Sequence, residues 1–171
     1  DQLIDLKVEN LTQYVPKYTI NNRVSGGFGA INLNSPAEAG DADNAVQLKF
    51  TFLIHNTTDA VSLRKFRFSF FDFDEWNNGL AKECMSLSTA TVESYIVSDQ
   101  TELVIETDEE QESMKFCSSE FGAGADNPTD PNDLAAVHQN RAIEFTFVDT
   151  DSIVVEDSVA SWASFGRNMV F

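Results

Sequence analysis

The clearest structural signal in this sequence is the run Val46-Gln47-Leu48-Lys49-Phe50-Thr51-Phe52-Leu53-Ile54. Every second residue of the run is apolar, and most of the residues between them are polar. Successive side chains of a β-strand point to opposite faces of a sheet, so this alternation is typical of a strand with one buried and one solvated face. The run therefore predicts an antiparallel sheet that packs on a core through one face.

A second strong strand is predicted at residues 63–73, where Phe66, Phe68 and Phe70 share one face. Asp72 continues the phase of these phenylalanines. Weaker strand patterns occur at residues 3–10, 30–33, 83–87, 92–97, 102–106, 113–117, 142–148 and 152–156. A short helix is predicted over residues 133–140, with Asp133 as its N-cap.

The number and spacing of these elements indicate the fold class. About eight to ten short strands, with no alternation of strands and helices, are typical of a sandwich or jelly roll. The chain has 171 residues, a length that fits one domain. We therefore expect residues 1–171 to form a single all-β domain, an antiparallel β-sandwich or jelly roll with one short helix.

The charge of the chain restricts its partners. Its 28 acidic and 11 basic residues give a net charge of −17. Such a surface repels phosphate backbones and anionic lipids, so nucleic acid is excluded as a direct partner. No stretch approaches the roughly 20 apolar residues of a membrane span, so no membrane insertion is expected. The charge can act as a solubilising coat, as a docking surface for basic partners, or as a cation site.

Cysteines and glycosylation sequons bear on the compartment. A bridge between Cys84 and Cys117 would close a loop of about 30 residues and contribute about 3–4 kcal/mol on the chain-entropy model. The sequons are Asn10-Leu11-Thr12 and Asn56-Thr57-Thr58, which make Asn10 and Asn56 candidate glycosylation sites. Together these features favour a secreted or cell-surface protein. The alternative is an organellar or cytoplasmic protein with two reduced, buried cysteines.

The first candidate metal segment is Asp72-Phe73-Asp74-Glu75, at the end of the phenylalanine-rich strand. On a regular strand Asp72 and Asp74 would project to the same side and could bind one cation, with Glu75 as a further ligand. Ca²⁺ takes six to eight oxygen ligands, and loops at sheet ends supply them well. The alternative is an ordinary charged strand end.

The second candidate segment is Asp126-Asn127-Pro128-Thr129-Asp130-Pro131-Asn132-Asp133. Its prolines stiffen the loop and remove backbone donors, which leaves carbonyl oxygens free to face a cation. Neither segment has the spacing of an EF-hand. We expect Asp126 and Asp130 to join Asp72, Asp74 and Glu75 in a Ca²⁺ site at one end of the sandwich. The alternative for this segment is a plain turn with a helix cap.

The remaining signals are weaker. Trp76 follows the first acidic segment and could stack on a sugar beside a bound metal, but packing in the core or rim is the simpler explanation. The acidic run at residues 108–112 fits a solvated hairpin tip, and the alternative is a docking site for a basic partner. No nucleophile motif, phosphate loop or dinucleotide fingerprint occurs, so no catalytic residue is predicted and the chain is not expected to be an enzyme.

Four segments carry a resemblance to a known group of proteins. They are residues 28–33, the stretch Phe68-Ser69-Phe70-Phe71-Asp72-Phe73-Asp74-Glu75, the stretch Asp126-Asn127-Pro128-Thr129-Asp130-Pro131, and Gly166-Arg167-Asn168. With them the chain resembles a β-sandwich module of secreted and surface proteins in diatoms, dinoflagellates and related algae. The resemblance implies an extracellular or assembly role, and it implies no catalytic residue.

These observations lead to one functional hypothesis and one rival. We expect a non-catalytic, Ca²⁺-stabilised sandwich in a surface, matrix or filament assembly, with other protein subunits of that assembly as its partners. The rival is a Ca²⁺-dependent glycan-binding module, in which Trp76 would contact the sugar.

Overall fold

The fold is an antiparallel β-sandwich. The computed structural model describes residues 2–124 and 127–171. Its strands are β1 (Ile4–Asn10), β2 (Arg23–Ser25), β3 (Phe28–Asn34), β4 (Asn44–Ile54), β5 (Leu63–Phe70), β6 (Lys82–Ser88), β7 (Val92–Ile96), β8 (Leu103–Asp108), β9 (Ser113–Ser118), β10 (Ile143–Thr150), β11 (Ser152–Ala160) and β12 (Gly166–Val170). The short helix α1 spans Ala136–Asn140, and single 3-10 turns span Thr19–Asn21 and Asn77–Gly79.

One layer of the sandwich is a six-stranded sheet with the strand order β1-β4-β11-β6-β9-β8. Its centre is the long β4–β11 pair, in which Val46 lies opposite Asp157 and Phe50 opposite Ile153. β4 is the run that alternates most clearly in the sequence, and its burial alternates as predicted, with Val46, Leu48, Phe50 and Phe52 buried.

The opposite layer consists of two three-stranded sheets in the described part of the chain, with the orders β5-β10-β7 and β12-β3-β2. An isolated antiparallel bridge between Phe71 and Val170 joins them. The Phe71 N–H donates to the Val170 carbonyl at 2.8 Å. The two sheets therefore meet at one point, just after β5 ends and where β12 ends.

Phenylalanine rings fill the core between the layers. Phe50 of β4 contacts Phe68 and Phe70 of β5 and the ring of Phe171, with centroid distances of 4.9–5.9 Å. Edge-to-face pairs at these distances are favourable beyond their apolar burial. The alternating phenylalanines of the sequence thus hold the two layers together.

The sequence predicted most strands, and the differences from the structure have local causes. β5 ends at Phe70 rather than at residue 73, because Asp72 has a φ of 70° and cannot continue a strand. The helix begins at Ala136, so Asp133 is not its N-cap. At this end the Ala135 N–H donates to Nδ1 of His138 at 3.1 Å. The strands β2 and β12 were not predicted, since both are short and neither alternates.

Candidate functional site

A charged pocket lies where β5 ends. It encloses about 520 Å³, and its lining includes the carboxylates of Asp72, Asp74 and Glu83, the guanidinium of Arg167 and the amide of Asn127. The three carboxylates and the guanidinium are all buried, with 3–8% of each residue exposed. The left-handed backbone at Asp72 turns the chain inward, so the segment after β5 carries its carboxylates into the protein.

An ion pair crosses this pocket. Nη1 of Arg167, on β12, lies 2.5 Å from Oδ1 of Asp74. The same guanidinium donates through Nε to the Ala81 carbonyl at 3.0 Å, while its Nη2 is buried without a hydrogen-bond partner among the described residues. A buried charge of either sign is costly unless it is paired. Arg167 therefore compensates the charge that Asp74 places in the interior.

Glu83 and Asp157 add acidic groups whose ionisation is suppressed. Burial, together with the charges of Asp74 and Asp72, holds the pKa of Glu83 well above its ordinary value. Burial raises the pKa of Asp157, on the core side of β11, to about 7. Asp157, Glu83 and Asp72 line one small gap in the core. The pocket thus holds Asp72 and Glu83 beside Asp74, and Asp157 lies in the adjoining gap. Glu83 and Asp157 are protonated more readily than an exposed carboxyl.

The two acidic segments of the sequence meet at this pocket. The side-chain amide of Asn127 donates to the carboxylate of Asp72. Gly122, upstream of the second segment, packs so closely on Asp74 that a Cβ at this position would collide with that carboxylate. Asp72 and Asp74 therefore share one cavity with the second segment, although through Asn127 and not through Asp130.

The other predicted ligands have different positions. Glu75 lies 3.8 Å from the ammonium of Lys82 and does not line the pocket. Asp130 is exposed and accepts from the Asn132 N–H at 2.8 Å, in a local turn. Asp126 lies outside the described residues. Within residues 2–124 and 127–171, no group of three or more histidine, cysteine, aspartate or glutamate side chains could hold a metal ion, and the Ca²⁺ site stays a prediction.

Trp76 packs between two other aromatic rings at the edge of this pocket. Its centroid lies 5.1 Å from that of Phe121 and 5.1 Å from that of Phe165. The guanidinium of Arg167 lies 5.4 Å from the Phe165 ring, within cation–π range. Trp76 is therefore a packed, partly exposed wall of the pocket, beside Asp72 and Asp74 as the lectin hypothesis requires.

A larger groove separates the two three-stranded sheets. It encloses about 930 Å³. Phe68 and Ser69 of β5 form part of one wall, Ala30 and Ile31 of β3 part of the other, and Leu48 of β4 lies at the floor. The ring of Phe171 reaches into the groove because Gly29 has no Cβ, which would overlap that ring. Sequence reasoning missed this groove, since it arises from the separation of two sheets.

Cys84 and Cys117 lie opposite each other in β6 and β9 and form a disulfide.

Asn10 and Asn56 are both exposed, Asn10 as the last residue of β1 and Asn56 in the turn after β4. Asn10 also lines the groove. None of the helices in the described ranges has the length and apolar character needed to cross a bilayer.

Comparison with known proteins supports the fold. No protein-family model matches the sequence, and no curated protein matches it. Among solved structures, the chain is similar to the crystal structure of the N-terminal domain of the Streptococcus gordonii adhesin Sgo0707, with a TM-score of 0.51 and 13% identity. The match covers 85% of this chain and 31% of that chain. At this identity the likeness shows a shared β-sandwich fold, and the algal resemblance stays a prediction.

Proposed function

We propose that this chain is a non-catalytic interaction module of a surface or extracellular assembly, and that it holds its partner in the groove between its two three-stranded sheets. The observation that carries the proposal is the groove itself, a cavity of about 930 Å³ with Leu48 and Phe171 among the apolar residues that line it. A cleft of this volume, lined by apolar residues together with a few charged ones such as Arg67 and Glu144, is typical of a binding site.

Three further features support a surface role. The fold is similar to that of a domain from a bacterial adhesin, a protein named for attachment. A disulfide between Cys84 and Cys117 is typical of oxidising compartments. Asn56 lies exposed in a glycosylation sequon in the turn after β4, where an attached glycan would project into solvent. Asn10, in the other sequon, is exposed at the rim of the groove.

The proposal is tested by binding of the labelled module to an array of purified extracellular proteins and glycans. Ser69→Trp places a bulky side chain at the mouth of the groove. Ser94→Trp, at an exposed position in β7 of the same sheet, is the matched control. We expect binding to at least one protein, at least tenfold weaker with Ser69→Trp and unchanged with Ser94→Trp. Protein binding that Ser69→Trp leaves unchanged, or no protein binding, would contradict the proposal.

Stabilisation by Ca²⁺ is a second, independent part of the proposed function. The observation that favours it is the hydrogen bond from Asn127 to Asp72, which brings the second acidic segment to the carboxylates at the end of β5. A cation there would cancel the repulsion among Asp72, Asp74 and Glu83 and would favour the ionised form of Glu83, whose pKa burial raises.

Calorimetry in excess Ca²⁺ and in chelator tests this part. A ligand that binds only the folded state at 100 times its Kd adds about 2.7 kcal/mol to the free energy of unfolding, which raises the melting temperature by several degrees. We expect such a rise in the native module and a much smaller one in Asp72→Asn. Asp99→Asn, at an exposed position, is the control and should behave as the native module does. Equal melting temperatures with and without Ca²⁺ would exclude a structural Ca²⁺.

Glycan binding is the rival function, favoured by the position of Trp76 beside Asp72 and Asp74. The glycan half of the same array tests it, with Ca²⁺ present. The rival predicts glycan binding that Trp76→Ala abolishes and that Ser69→Trp leaves intact. Absence of glycan binding on the array would favour the interaction module.

A further inference from the structure

One wall of the groove is a strand edge without a full partner strand. β5 pairs along its length with β10 on one side. On its other side, pairing among the described residues is limited to the bridge from Phe71, just beyond β5, to Val170. The edge of β5 that precedes this bridge faces the groove, where Arg67, Phe68 and Ser69 are lining residues. Such an edge can accept a further strand.

The backbone direction along this edge follows from the bridge. The Phe71 N–H points to the β12 side, where it donates to Val170. Alternate residues of a strand direct their N–H and C=O groups to the same side. The peptide groups of Ser69, Arg67 and Lys65 therefore point to the free edge of β5, which lines the groove at Ser69 and Arg67, whereas those of Phe70 and Phe68 point to β10.

The strand pairs around the groove also give the direction of an added strand. Val170 lies opposite Phe71, and β12 is antiparallel to β3, with Phe171 and Gly29 exchanging two backbone hydrogen bonds of 2.7 and 2.9 Å. Because Val170 lies opposite Phe71 and the two segments are antiparallel, Phe171 comes opposite Phe70. An added strand that continues the course of β12 beyond Phe171 would run antiparallel to β5 and would lie beside Ser69 and the residues before it.

The floor of the groove indicates which side chains this strand needs. The ring of Phe171 turns inward and packs on Phe50 and Phe68, at centroid distances of 4.9 and 6.0 Å. Every second residue along the same line would also face inward, towards Val8 and Leu48. The residues between them would face solvent beside Arg67, whose guanidinium is already 3.2 Å from the carboxylate of Glu144.

We propose that the groove binds an extended strand of a partner polypeptide, antiparallel to β5, with apolar side chains at every second position and basic residues at its ends. This inference deepens the proposed function and rests on it. The basic ends follow from the net charge of −17, which attracts a cationic segment and repels a second copy of the same chain.

The test uses a defined probe, a fluorescent eight-residue peptide of alternating valine and threonine flanked by lysines. Its length equals that of β5, which has eight residues. Fluorescence anisotropy should show saturable binding. A peptide of the same composition with its valines adjacent, and one N-methylated along its backbone, should both bind at least tenfold more weakly. Equal binding of all three peptides, or no binding of the alternating peptide at millimolar concentration, would overturn the inference.

A proline scan locates the site on the protein. Ser69→Pro removes a donor that points into the groove and keeps the hydrogen bonds between β5 and β10. The control is Thr107→Pro on the free edge of β8. The Ser119 N–H donates to the Glu102 carbonyl, so the alternation directs the Thr107 peptide group away from β9. Peptide affinity should fall at least tenfold with Ser69→Pro and should not change with Thr107→Pro.

Two further measurements keep the inference testable if Ser69→Pro does not fold. Hydrogen exchange of the native module should slow at the amides of Lys65, Arg67 and Ser69 when the peptide binds, and unchanged exchange there would overturn the inference. Sedimentation should show a monomer, whereas a dimer that the peptide dissociates would mean that a second copy supplies the strand. Groove-dependent protein binding on the array without peptide binding would leave the proposed function intact and refute this inference alone.

Discussion

Nη1 of Arg167 and Oδ1 of Asp74 lie 2.5 Å apart, and their side chains are 9% and 4% exposed. This ion pair joins β12, near the end of the chain, to the segment that follows β5. Next to it, Phe71 and Val170 form the bridge between the two three-stranded sheets. The pair therefore lies at the junction from which the groove opens, and it links the charged pocket to the geometry of the proposed binding site.

Breaking this pair from the arginine side should destabilise the protein strongly. Arg167→Met removes the guanidinium that lies against Oδ1 of Asp74 and leaves that carboxylate buried near Asp72 and Glu83. Removal of one member of a buried ion pair costs about 3–5 kcal/mol. We expect a loss of that size in the free energy of unfolding, measured with denaturant at pH 7. Arg64→Met, at an exposed position in β5, should change it by about 0.5 kcal/mol or less, and equal losses in the two variants would contradict the assignment.

Asp157 should make stability depend on pH. Its pKa is about 7 in the folded protein and 3.8 in the ordinary reference state. Between these values the folded state binds more protons than the unfolded state, so the free energy of unfolding falls as pH rises from about 4 to 7. The slope from this group is about 1.4 kcal/mol per pH unit. Glu83 faces the same small gap and shifts in the same direction, so it contributes to the total slope.

Asp157→Asn should remove the Asp157 part of this slope. The variant should be more stable than the native protein at pH 8, by an amount on the order of a few kcal/mol, and nearly equal to it at pH 4. Denaturant unfolding at several pH values measures the difference. Asp99→Asn, which replaces an exposed carboxylate, is the control, and an Asp157→Asn profile parallel to that of the native protein would show that Asp157 titrates normally.

Gly122 should not tolerate a side chain. A Cβ there would collide with the carboxylate of Asp74 and lie 2.5 Å from Nη1 of Arg141. Gly122→Ala should therefore cost about 1–3 kcal/mol, the range for overpacked interiors. Gly124→Ala is the matched control, because its Cβ would meet Oδ1 of Asn127 at an ordinary 3.6 Å. Thermal unfolding of the two variants compares them, and similar melting temperatures would refute the close packing at Gly122.

The disulfide between Cys84 and Cys117 should stabilise the six-stranded sheet. The two cysteines are 33 residues apart in sequence, and a loop of this length corresponds to about 3–4 kcal/mol on the chain-entropy model. Replacing both cysteines with alanine should lower the free energy of unfolding by about that amount. A reducing agent should lower the unfolding midpoint of the native protein and leave that of the double variant unchanged. If the reducing agent changes the unfolding midpoint of neither protein, the bridge between Cys84 and Cys117 is not formed.

The sequence was sufficient to predict the fold class because a strand with one buried face has alternating apolar and polar residues along its own length. Alternation at residues 46–54 and 63–70 follows directly from the burial of one face of β4 and β5, and each pattern is readable without its neighbours. The same reasoning identified Asp72 and Asp74 as unusual, since they carry charge at the end of a strand that packs one face of phenylalanines on the core. It also indicated that any disulfide within the chain would join Cys84 and Cys117, because the sequence holds two cysteines, but it left open whether they are bonded.

Only the tertiary structure decided how these parts meet. Arg167 lies far from Asp74 in sequence, and Glu83 and Asp157 look like ordinary strand residues until burial suppresses their ionisation. A signal was present for Asp157, since it occupies a core-facing position between the buried Val155 and Val159 of β11. Periodicity reports which face of a strand is buried, whereas the choice of pairing partner depends on long-range packing. The groove beside β5 exists because β5 pairs along its length with β10 and, among the described residues, meets β12 only through the bridge between Phe71 and Val170.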